Sequence, residues 1–323
     1  MLIPILLFVI GLLLLIKGGD WFVDGATGIA RRFHIPEIIV GATVVSIGTT
    51  LPEVMVSATG ALSGQGSIAY GNAIGSIICN TSLIAAITVA IRPGKVDRKA
   101  LIMPVIFFFF AAVIYALTAY TIGYFHRWLG FVLLAIFAVY MFMTIRQGLR
   151  SPVVAEDHTE QEETKQNSLV KEIILLVLGA AVIAVGADLL VDNGTIIAKT
   201  LGVPESVIAL TFVALGTSLP ELVTAITSLV KGHGSLSLGN VIGANIFNLV
   251  LVSGVSVALS PFEIPSESQI AGMNASLVMD IPVMFGVMAL LTVPALLQKK
   301  LSRWQGILLL AIYAAFCVIQ FTM

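Results

Sequence analysis

The stretch that decides the fold is IPEIIVGATVVSIGTTLPE, residues 35–53, because the chain contains it twice. Its second copy is VPESVIALTFVALGTSLPE, residues 203–221, and the repeat continues into GNAIGSIICN and GNVIGANIFN. Between 36–80 and 204–248, 19 of 45 positions are identical without a gap. Most of these identities are Gly, Pro, Thr, Ser, Asn or Glu, which a shared apolar composition does not supply. The chain is therefore an internal duplication.

The composition predicts an all-α integral membrane protein. The 323 residues are 58% hydrophobic and 11% charged, and the mean hydropathy is +1.03. A soluble domain has about 25% charged residues. Apolar runs of about 20 residues recur, long enough to cross a bilayer and too long for barrel strands. We expect the lipid bilayer as a partner and, given a net charge of −1 and no basic stripe, no nucleic acid.

Hydropathy and polar breaks predict ten spanning helices, five in each half. They lie at 1–30, 37–62, 67–91, 100–121, 127–147, 169–199, 205–230, 235–260, 270–297 and 303–322. Because five is odd, the second half enters the membrane from the opposite side. The two inverted repeats are 1–150, with its motif at 36–80, and 169–323, with its motif at 204–248. Inverted repeats are typical of secondary transporters.

The basic residues predict the orientation. Of the 17 Lys and Arg residues, 14 fall on one side of the predicted membrane and two on the other, with Lys17 inside the first span. The positive-inside rule places the 14 in the cytoplasm and both termini outside. The acidic segment 151–168, SPVVAEDHTEQEETKQNS, is then a cytoplasmic linker between the halves.

GTTLPE, residues 48–53, places a proline and a carboxylate well inside the second span. As a purely structural feature it has the form of a capping box, Thr50 to Glu53, with Pro52 in the first turn of a restarting helix. Such a break at mid-membrane leaves backbone groups unpaired, so it must face protein or a wet cavity. An ionisable residue at that depth indicates a functional site.

The polar groups around both motifs are all oxygen donors. Thr49 and Thr50 can share a helix face with Glu53, and Pro52 frees backbone carbonyls. The second copy repeats this spacing, and the next helices add two further pairs. The additional positions are Thr217, Ser218 and Glu221, then Ser76 with Asn80 and Ala244 with Asn248. Carboxylate, hydroxyl, amide and carbonyl oxygens suit calcium, sodium or magnesium, whereas zinc, copper and iron favour His or Cys.

Inverted symmetry predicts that Glu53 and Glu221 meet near the midplane, where helices 2 and 3 of the first half and 7 and 8 of the second are broken. Two carboxylates carry a charge of about −2, which one calcium ion, two sodium ions or two protons neutralise. Competition of these ions for one set of oxygens is the basis of antiport. Without a cation, the two close carboxylates repel each other in a low dielectric.

The paired GTTLPE/GTSLPE and GNxxG motifs resemble the two repeats of the cation/calcium antiporter superfamily, most closely its prokaryotic sodium/calcium exchanger branch. The resemblance covers the whole chain. It implies a central calcium site made by the side chains of Glu53 and Glu221 and the carbonyls of Thr49 and Thr217. It also implies that the first and sixth helices slide together against the other eight.

The resemblance further implies two flanking sodium sites. One uses the Ser46 carbonyl with Thr50, Ser76 and Glu53. Its symmetry mate uses the Ala214 carbonyl with Ser218 and Glu221. Asn80 and Asn248 would lie beside the centre and hold water or the glutamate side chains. The ions are transported, so no cofactor and no enzymatic activity are expected.

Two positions depart from the family pattern. Exchangers of the family often have an aspartate in one half where this chain has Asn80 and Asn248, so a third carboxylate is missing. Ala244 stands where the first half has Ser76, which removes a hydroxyl from the second sodium site. These departures leave open both the ion stoichiometry and the coupling ion, which would be a proton or fewer sodium ions.

These features predict a calcium/sodium antiporter of the inner or plasma membrane that works by alternating access. The first alternative is an antiporter that exchanges protons for calcium or another divalent cation. A passive cation channel is a second, but paired broken helices around a midplane site favour alternating access over a continuous pore. An intramembrane hydrolase is a third, and neither glutamate lies in a recognisable protease motif.

Other charged residues receive structural interpretations. Asp20 and Asp24 fall on Asp188 and Asp192 in the repeat, and interfacial solvation, capping or ion attraction would explain them. Glu37 and Glu205 are predicted in first turns of helices, where the helix dipole favours a carboxylate. Asp280 is a charge inside the ninth span for which the sequence offers no partner. Gly71-Asn72 and Gly239-Asn240 are predicted to allow close helix packing and a break.

Overall fold

The computed structural model describes residues 2–150, 168–201, 216–266 and 268–322 and is almost entirely helical. Within these residues nine helices are long and apolar enough to cross a membrane, and a shorter apolar helix lies in the seventh predicted span. In chain order they are α1 Leu2–Arg32, α2 Glu37–Leu62, α3 Gly66–Ile91, α4 Arg98–Thr121, α5 Arg127–Arg150, α6 Leu169–Thr200, α7 Leu219–Val230, α8 Gly234–Leu259, α9 Ser276–Gln298 and α10 Arg303–Thr322. The linker, except Ser168, and residues 205–215 of the seventh predicted span lie outside the described residues.

Four helices contain a π-helical segment, in which each carbonyl bonds an N–H one residue further along than in an α-helix. The segments are Gly41–Val45 in α2, Asn80–Ala85 in α3, Asn248–Val252 in α8 and Ser276–Asp280 in α9. These π-helical turns do not coincide with the breaks expected at Pro52, Gly71-Asn72 and Gly239-Asn240, where the α-helix continues. The π-helical turns in α3 and α8 begin at repeat-related asparagines.

Helices α1 and α6 form an antiparallel pair along a line of glycines. Gly11 packs on Gly186, and a Cβ added to either would lie 2.9 Å from the other's carbonyl oxygen. Gly18 packs on Gly179 further along. In the repeat, Gly11 matches Gly179 and Gly18 matches Gly186, so the contact has twofold pseudo-symmetry. Because two sequence-equivalent helices run in opposite directions, the predicted inverted repeat is confirmed.

Helices α2, α3, α7 and α8 lie at the centre, with α2 and α8 parallel and in very close contact. A Cβ on Gly239 would lie 2.9 Å from the Cα of Ile38, and one on Gly243 would lie 2.6 Å from the Cα of Ala42. Only residues without a side chain permit backbones to approach so closely. The main apolar core joins these inner helices to α4, α5, α9 and α10 around them.

Three short antiparallel strand pairs connect loops at the two ends of the bundle. They are β1 Gly94–Lys95 with β6 Lys300–Leu301, β2 Tyr124–Phe125 with β3 Phe262–Glu263, and β4 Gln269–Ile270 with β5 Met273–Asn274. The first pair joins two lysine-bearing loops that the sequence places on the same face. The β4–β5 hairpin turns at Ala271 and Gly272, both with positive φ. Its presence moves the start of α9 from the expected 270 to Ser276.

Asp20, Asp24 and Asp280, to which the sequence assigned no partner, each contact a polar or charged side chain in the structure. Lys231 Nζ lies 2.8 Å from Asp24 Oδ1 and 3.4 Å from Asp20 Oδ1, so both aspartates of α1 form ion pairs with the segment between α7 and α8. Asp280 Oδ1 accepts a hydrogen bond of 3.0 Å from Gln320 Nε2. Glu37 lies in the first turn of α2, as predicted.

Candidate functional site

The two motif glutamates are completely buried in the centre of the bundle. Glu53 lies in the middle of α2, directly after Pro52, and Glu221 is the third residue of α7, directly after Pro220. Both have 0% exposure. Thr50, three residues before Glu53 in α2, donates a hydrogen bond of 3.4 Å to Glu221 Oε1, so the two motifs from opposite halves are in contact. That Glu53 and Glu221 share one central ion site stays a prediction.

Among the residues that the structure describes, no cationic side chain pairs with either of these carboxylates. Among the described residues, the ion pairs all lie elsewhere, at Asp20, Asp24, Glu37 and Glu172. Both oxygens of Glu53 and Oε2 of Glu221 accept no hydrogen bond in that part of the chain. A buried charge without a partner costs several kcal/mol.

The local backbone differs between the two halves. In α2 the helix continues from Ser46 to Leu62 with Pro52 in its interior, so the restart expected at Thr50 is wrong. Pro52 still leaves the Gly48 carbonyl without its helical N–H donor. In the second half, Gly216 to Ser218 form a turn and the helix begins at Leu219. Ser218 precedes that helix without a capping hydrogen bond from its side chain, so the capping box is absent there too.

Threonine hydroxyls join the two halves across the site. Thr50 Oγ1 donates to Glu221 Oε1 at 3.4 Å, which is a long hydrogen bond. Thr49 Oγ1 donates to Asn240 Oδ1 at 3.3 Å. Thr217 Oγ1 donates to Asn72 Oδ1 at 3.2 Å. The last two bonds are related by the repeat, so each half holds the motif threonine of the other half through an asparagine.

Asn72 and Asn240 are the functional candidates that the sequence interpretation missed, since it assigned them to helix packing. Asn72 also donates to the Glu53 carbonyl oxygen at 3.1 Å and to Ser57 Oγ at 2.8 Å. Asn240 accepts from Ser46 Oγ through its own backbone carbonyl at 3.0 Å. The signal was available, because both asparagines are identities of the repeat at equal spacing from the glutamates.

Most of the remaining predicted site residues are buried, and several present polar atoms without a partner. Ser46, Ser76, Asn80 and Asn248 are all at most 5% exposed. Both amide atoms of Asn80 and of Asn248 and the hydroxyl of Ser218 have no hydrogen-bond partner among the described residues. Ala214 lies outside the described residues.

A polar face on α7 extends the set beyond the prediction. Thr224 and Ser228 follow Glu221 at helical spacing, are 0% exposed, and have hydroxyls without a partner in the described structure. The first half has Val56 and Gly60 at the matching positions. A comparison of the two repeats alone therefore directs attention away from these residues.

The arrangement fits a hard cation. Buried polar atoms are normally hydrogen-bonded, so a cluster of unpaired oxygens indicates a ligand that accepts their lone pairs. In the described part of the chain, no three His, Cys, Asp or Glu side chains are placed so that they could hold one metal ion together. A site here therefore depends on two carboxylates plus neutral oxygens. Calcium and sodium bind such mixed oxygen sets.

The chain is similar to sodium/calcium exchangers over nearly its whole length. The family described as "Sodium/calcium exchanger protein" matches residues 3–146 and 171–322. The sodium/calcium exchanger MaX1 of Methanosarcina acetivorans is 32% identical over 350 residues, which cover 98% of this chain and 98% of that protein. The membrane protein MJ0091 of Methanocaldococcus jannaschii, described as uncharacterized, is 36% identical over 316 residues, 95% of this chain and 94% of that protein.

Solved structures agree with the sequence relatives. A structure of the sodium-calcium exchanger NCX_Mj, soaked with 10 mM Na⁺ and zero Ca²⁺, superposes with a TM-score of 0.80 at 35% identity and covers 97% of each chain. The fold, the duplicated motifs and the relatives all lead to one assignment. This chain belongs to the sodium/calcium exchanger protein family, in the prokaryotic branch of the cation/calcium antiporter superfamily.

Proposed function

We propose that this protein exchanges calcium for sodium across a membrane by alternating access. The observation that carries the proposal is the pair of fully buried carboxylates, Glu53 and Glu221, contributed by inverted halves and without a cationic partner in the described residues. A charge of about −2 is neutralised equally by one divalent or two monovalent cations. Exchange follows because the protein changes access from one side to the other at low cost only when cations neutralise the two carboxylates.

The ligand assignment is part of this proposal. Calcium would bind to the carboxylates of Glu53 and Glu221 with the backbone carbonyls of Thr49 and Thr217. The threonine hydroxyls already donate to Asn240 and Asn72, which holds the two segments in place and leaves their carbonyls as ligands. Asn72, Asn240 and the cross-repeat bonds would thus position the ligands without binding the ion.

Sodium would bind on either side of the centre. One site would use Thr50 and Ser76 with the Ser46 carbonyl, and the other would use Ser218 with the Ala214 carbonyl. The amide oxygens of Asn80 and Asn248 have no hydrogen-bond partner among the described residues and would bind water or an ion at the centre. The π-helical turns that begin at these two asparagines support this role, since such turns are frequent at functional sites.

We also propose that the lysine- and arginine-rich end faces the cytoplasm. The β1–β6 pair collects Lys95 and Lys300 at this end, and Arg92 and Arg303 lie beside them. The positive-inside rule then places both termini outside and the 151–168 linker in the cytoplasm of an inner or plasma membrane. Calcium extrusion under an inward sodium gradient is the transport direction that we infer.

The test is calcium flux in proteoliposomes. We expect calcium uptake when sodium is loaded inside and diluted outside, and no uptake in response to a pH gradient of equal size. A monovalent control, potassium in place of sodium, should give no uptake. Uptake driven by the pH gradient alone would replace sodium by protons as the coupling ion. Calcium movement without any counter-ion gradient dependence would indicate a channel.

The proton alternative has one specific observation in its favour, which is Ala244. This residue is 0% exposed in α8, one turn before Asn248, where the first half has the hydroxyl of Ser76. Sodium depends on neutral oxygens for its coordination, whereas a proton needs only a carboxylate. The absence of this hydroxyl therefore weakens the binding of sodium more than the binding of a proton.

Restoring the hydroxyl gives a measurable prediction. We expect Ala244→Ser to lower the sodium concentration for half-maximal exchange by about fivefold, since one neutral ligand contributes about 1 kcal/mol. The matched control is Ala244→Cys, which has similar volume and a poor ligand for sodium. An equal effect of both substitutions, or an increase in half-maximal sodium with Ser, would contradict the second sodium site.

A further inference from the structure

A cleft at the lysine- and arginine-rich end of the bundle lies apart from the central site. Its volume is about 200 Å³, and it is bounded by the segment between α3 and α4, the segment between α7 and α8, and the first residues of α2 and α8. The lining includes Arg92, Lys95, Asp97, Gly234 and Ser237. None of these residues belongs to the proposed exchange machinery.

The charges around the cleft favour an anion. Arg92 donates to the Leu229 carbonyl oxygen at 3.2 Å, and neither Arg92 nor Lys95 forms an ion pair within the described residues. The one lining carboxylate, Asp97, is already used, because its Oδ1 accepts the backbone N–H of Lys99 at 2.8 Å and caps α4. His233, just outside the lining, pairs with Glu37 at 2.8 Å.

The N-terminus of α8 opens into the same cleft. This helix begins at Gly234, and no side chain caps its first N–H groups. Such an end carries a partial positive charge and free backbone donors, which together attract anions. The glycines at this position and at Gly94 have no heavy atom within 4 Å of an added Cβ among the described residues, so the space in front of them is open.

A buried hydroxyl supplies an independent sign of a ligand. Ser237 lines the cleft one turn into α8 and is 2% exposed. Its Oγ has no hydrogen-bond partner in the described structure. A serine hydroxyl normally finds a partner when buried, so its unpaired state indicates a group that enters the cleft.

We propose that this cleft binds a phosphate group. The donors are the Arg92 guanidinium, the Lys95 ammonium, the free N–H groups of the α8 N-terminus and the Ser237 hydroxyl. A tetrahedral anion with several acceptor oxygens uses all of them, and the cleft has room for it. The phosphate belongs either to the headgroup of an anionic phospholipid or to a soluble phosphate compound. Bound phosphate would tie the segment after α3 to the segment before α8.

The experiment compares two probes on the full-length protein. In neutral detergent, inorganic phosphate is titrated at constant ionic strength, with chloride as the balancing salt, and binding is measured by calorimetry. In parallel, retention of dioleoyl phosphatidylglycerol against dioleoyl phosphatidylcholine is measured by native mass spectrometry. Saturable phosphate binding identifies a soluble anion, and selective phosphatidylglycerol retention identifies the lipid headgroup; either supports the proposal. No selective binding of either probe overturns it.

Lys95→Glu and Lys300→Glu form a matched pair. They are register partners in the β1–β6 ladder, and only Lys95 lines the cleft. We expect Lys95→Glu to weaken binding of the responsive probe by about 30-fold, the effect of two charge units at about 1 kcal/mol each, and Lys300→Glu to weaken it several-fold less. Equal weakening by both variants would show diffuse attraction and would overturn the site.

Ser237→Ala tests the same site without a change of charge. Because its hydroxyl has no partner in the described structure, the substitution should leave the unfolding temperature unchanged. We expect it to weaken probe binding by at least about tenfold, the lower end of the value of one hydrogen bond to a charged group. Unaltered binding in a stably folded Ser237→Ala protein would also count against the proposal.

Discussion

Glu53→Gln and Glu221→Gln should each lower sodium-driven calcium uptake by at least about 100-fold, because removal of one carboxylate charge from a buried carboxylate–cation pair costs about 3–5 kcal/mol. Glutamine preserves the shape of the side chain and one oxygen, so the loss isolates the charge. The measurement is the initial rate of calcium uptake in proteoliposomes at matched protein density. Glu263→Gln, an exposed carboxylate on β3, is the control and should transport normally.

In the absence of calcium, we do not expect the same two substitutions to lower the stability of the protein. Without calcium, each glutamine variant should unfold at a temperature equal to or higher than the unmodified protein, since a buried uncompensated charge has been removed. With calcium at about 100 times its dissociation constant, the unmodified protein should gain about 2.7 kcal/mol and the variants nothing. If calcium stabilised Glu53→Gln as much as the unmodified protein, the carboxylate would not be a ligand.

Gly239→Ala should destabilise the protein by about 3 kcal/mol, because its methyl group would meet backbone and not a movable side chain. An added Cβ would lie 2.9 Å from both the Cα and the carbonyl carbon of Ile38 and still closer to the Ile38 oxygen. Helices α2 and α8 would have to separate. This would carry Asn240 away from Thr49, whose hydrogen bond to it is 3.3 Å long. We therefore expect weaker calcium binding together with a lower unfolding temperature.

Gly286→Ala is the matched control for this effect. Gly286 lies inside α9, is exposed at the surface of the bundle, and has no heavy atom within 4 Å of an added Cβ in the described structure. Alanine there should be neutral or should stabilise by up to about 1 kcal/mol, as expected for an unhindered helical position. A similar loss of stability in both variants would point to a general effect of helix substitution.

The close contact between α2 and α8 connects the fold to the site. Gly239, Asn240 and Gly243 lie within two turns of α8, and the glycines bring the backbones together so that Asn240 reaches Thr49 and Ser46. Substitution of the glycines thus tests packing and ligand geometry at once. We expect these substitutions to lower the stability of the protein and also to reduce the exchange rate of the fraction that remains folded.

Repetition within the chain carried most of the prediction. The 168-residue offset identified two halves, the odd number of spans required their inversion, and the paired motifs selected Glu53 and Glu221. Such features can be recognised from short stretches of sequence. A spanning helix is recognised by the length of its apolar run, and a buried charge by its position within that run. The antiparallel glycine contact between α1 and α6 confirms the inversion.

The tertiary structure decided how the site is held. The bonds from Thr49 to Asn240 and from Thr217 to Asn72 join residues far apart in the chain, and their existence depends on the register in which α2, α3, α7 and α8 pack. The π-helical turns and the course of α2 through Pro52 were likewise not evident from the local sequence, which favours a helix start at Thr50. The amino-acid sequence alone predicted which residues share a central site, because the repeat aligns them, whereas the packing register sets which buried polar atoms have no partner among the described residues.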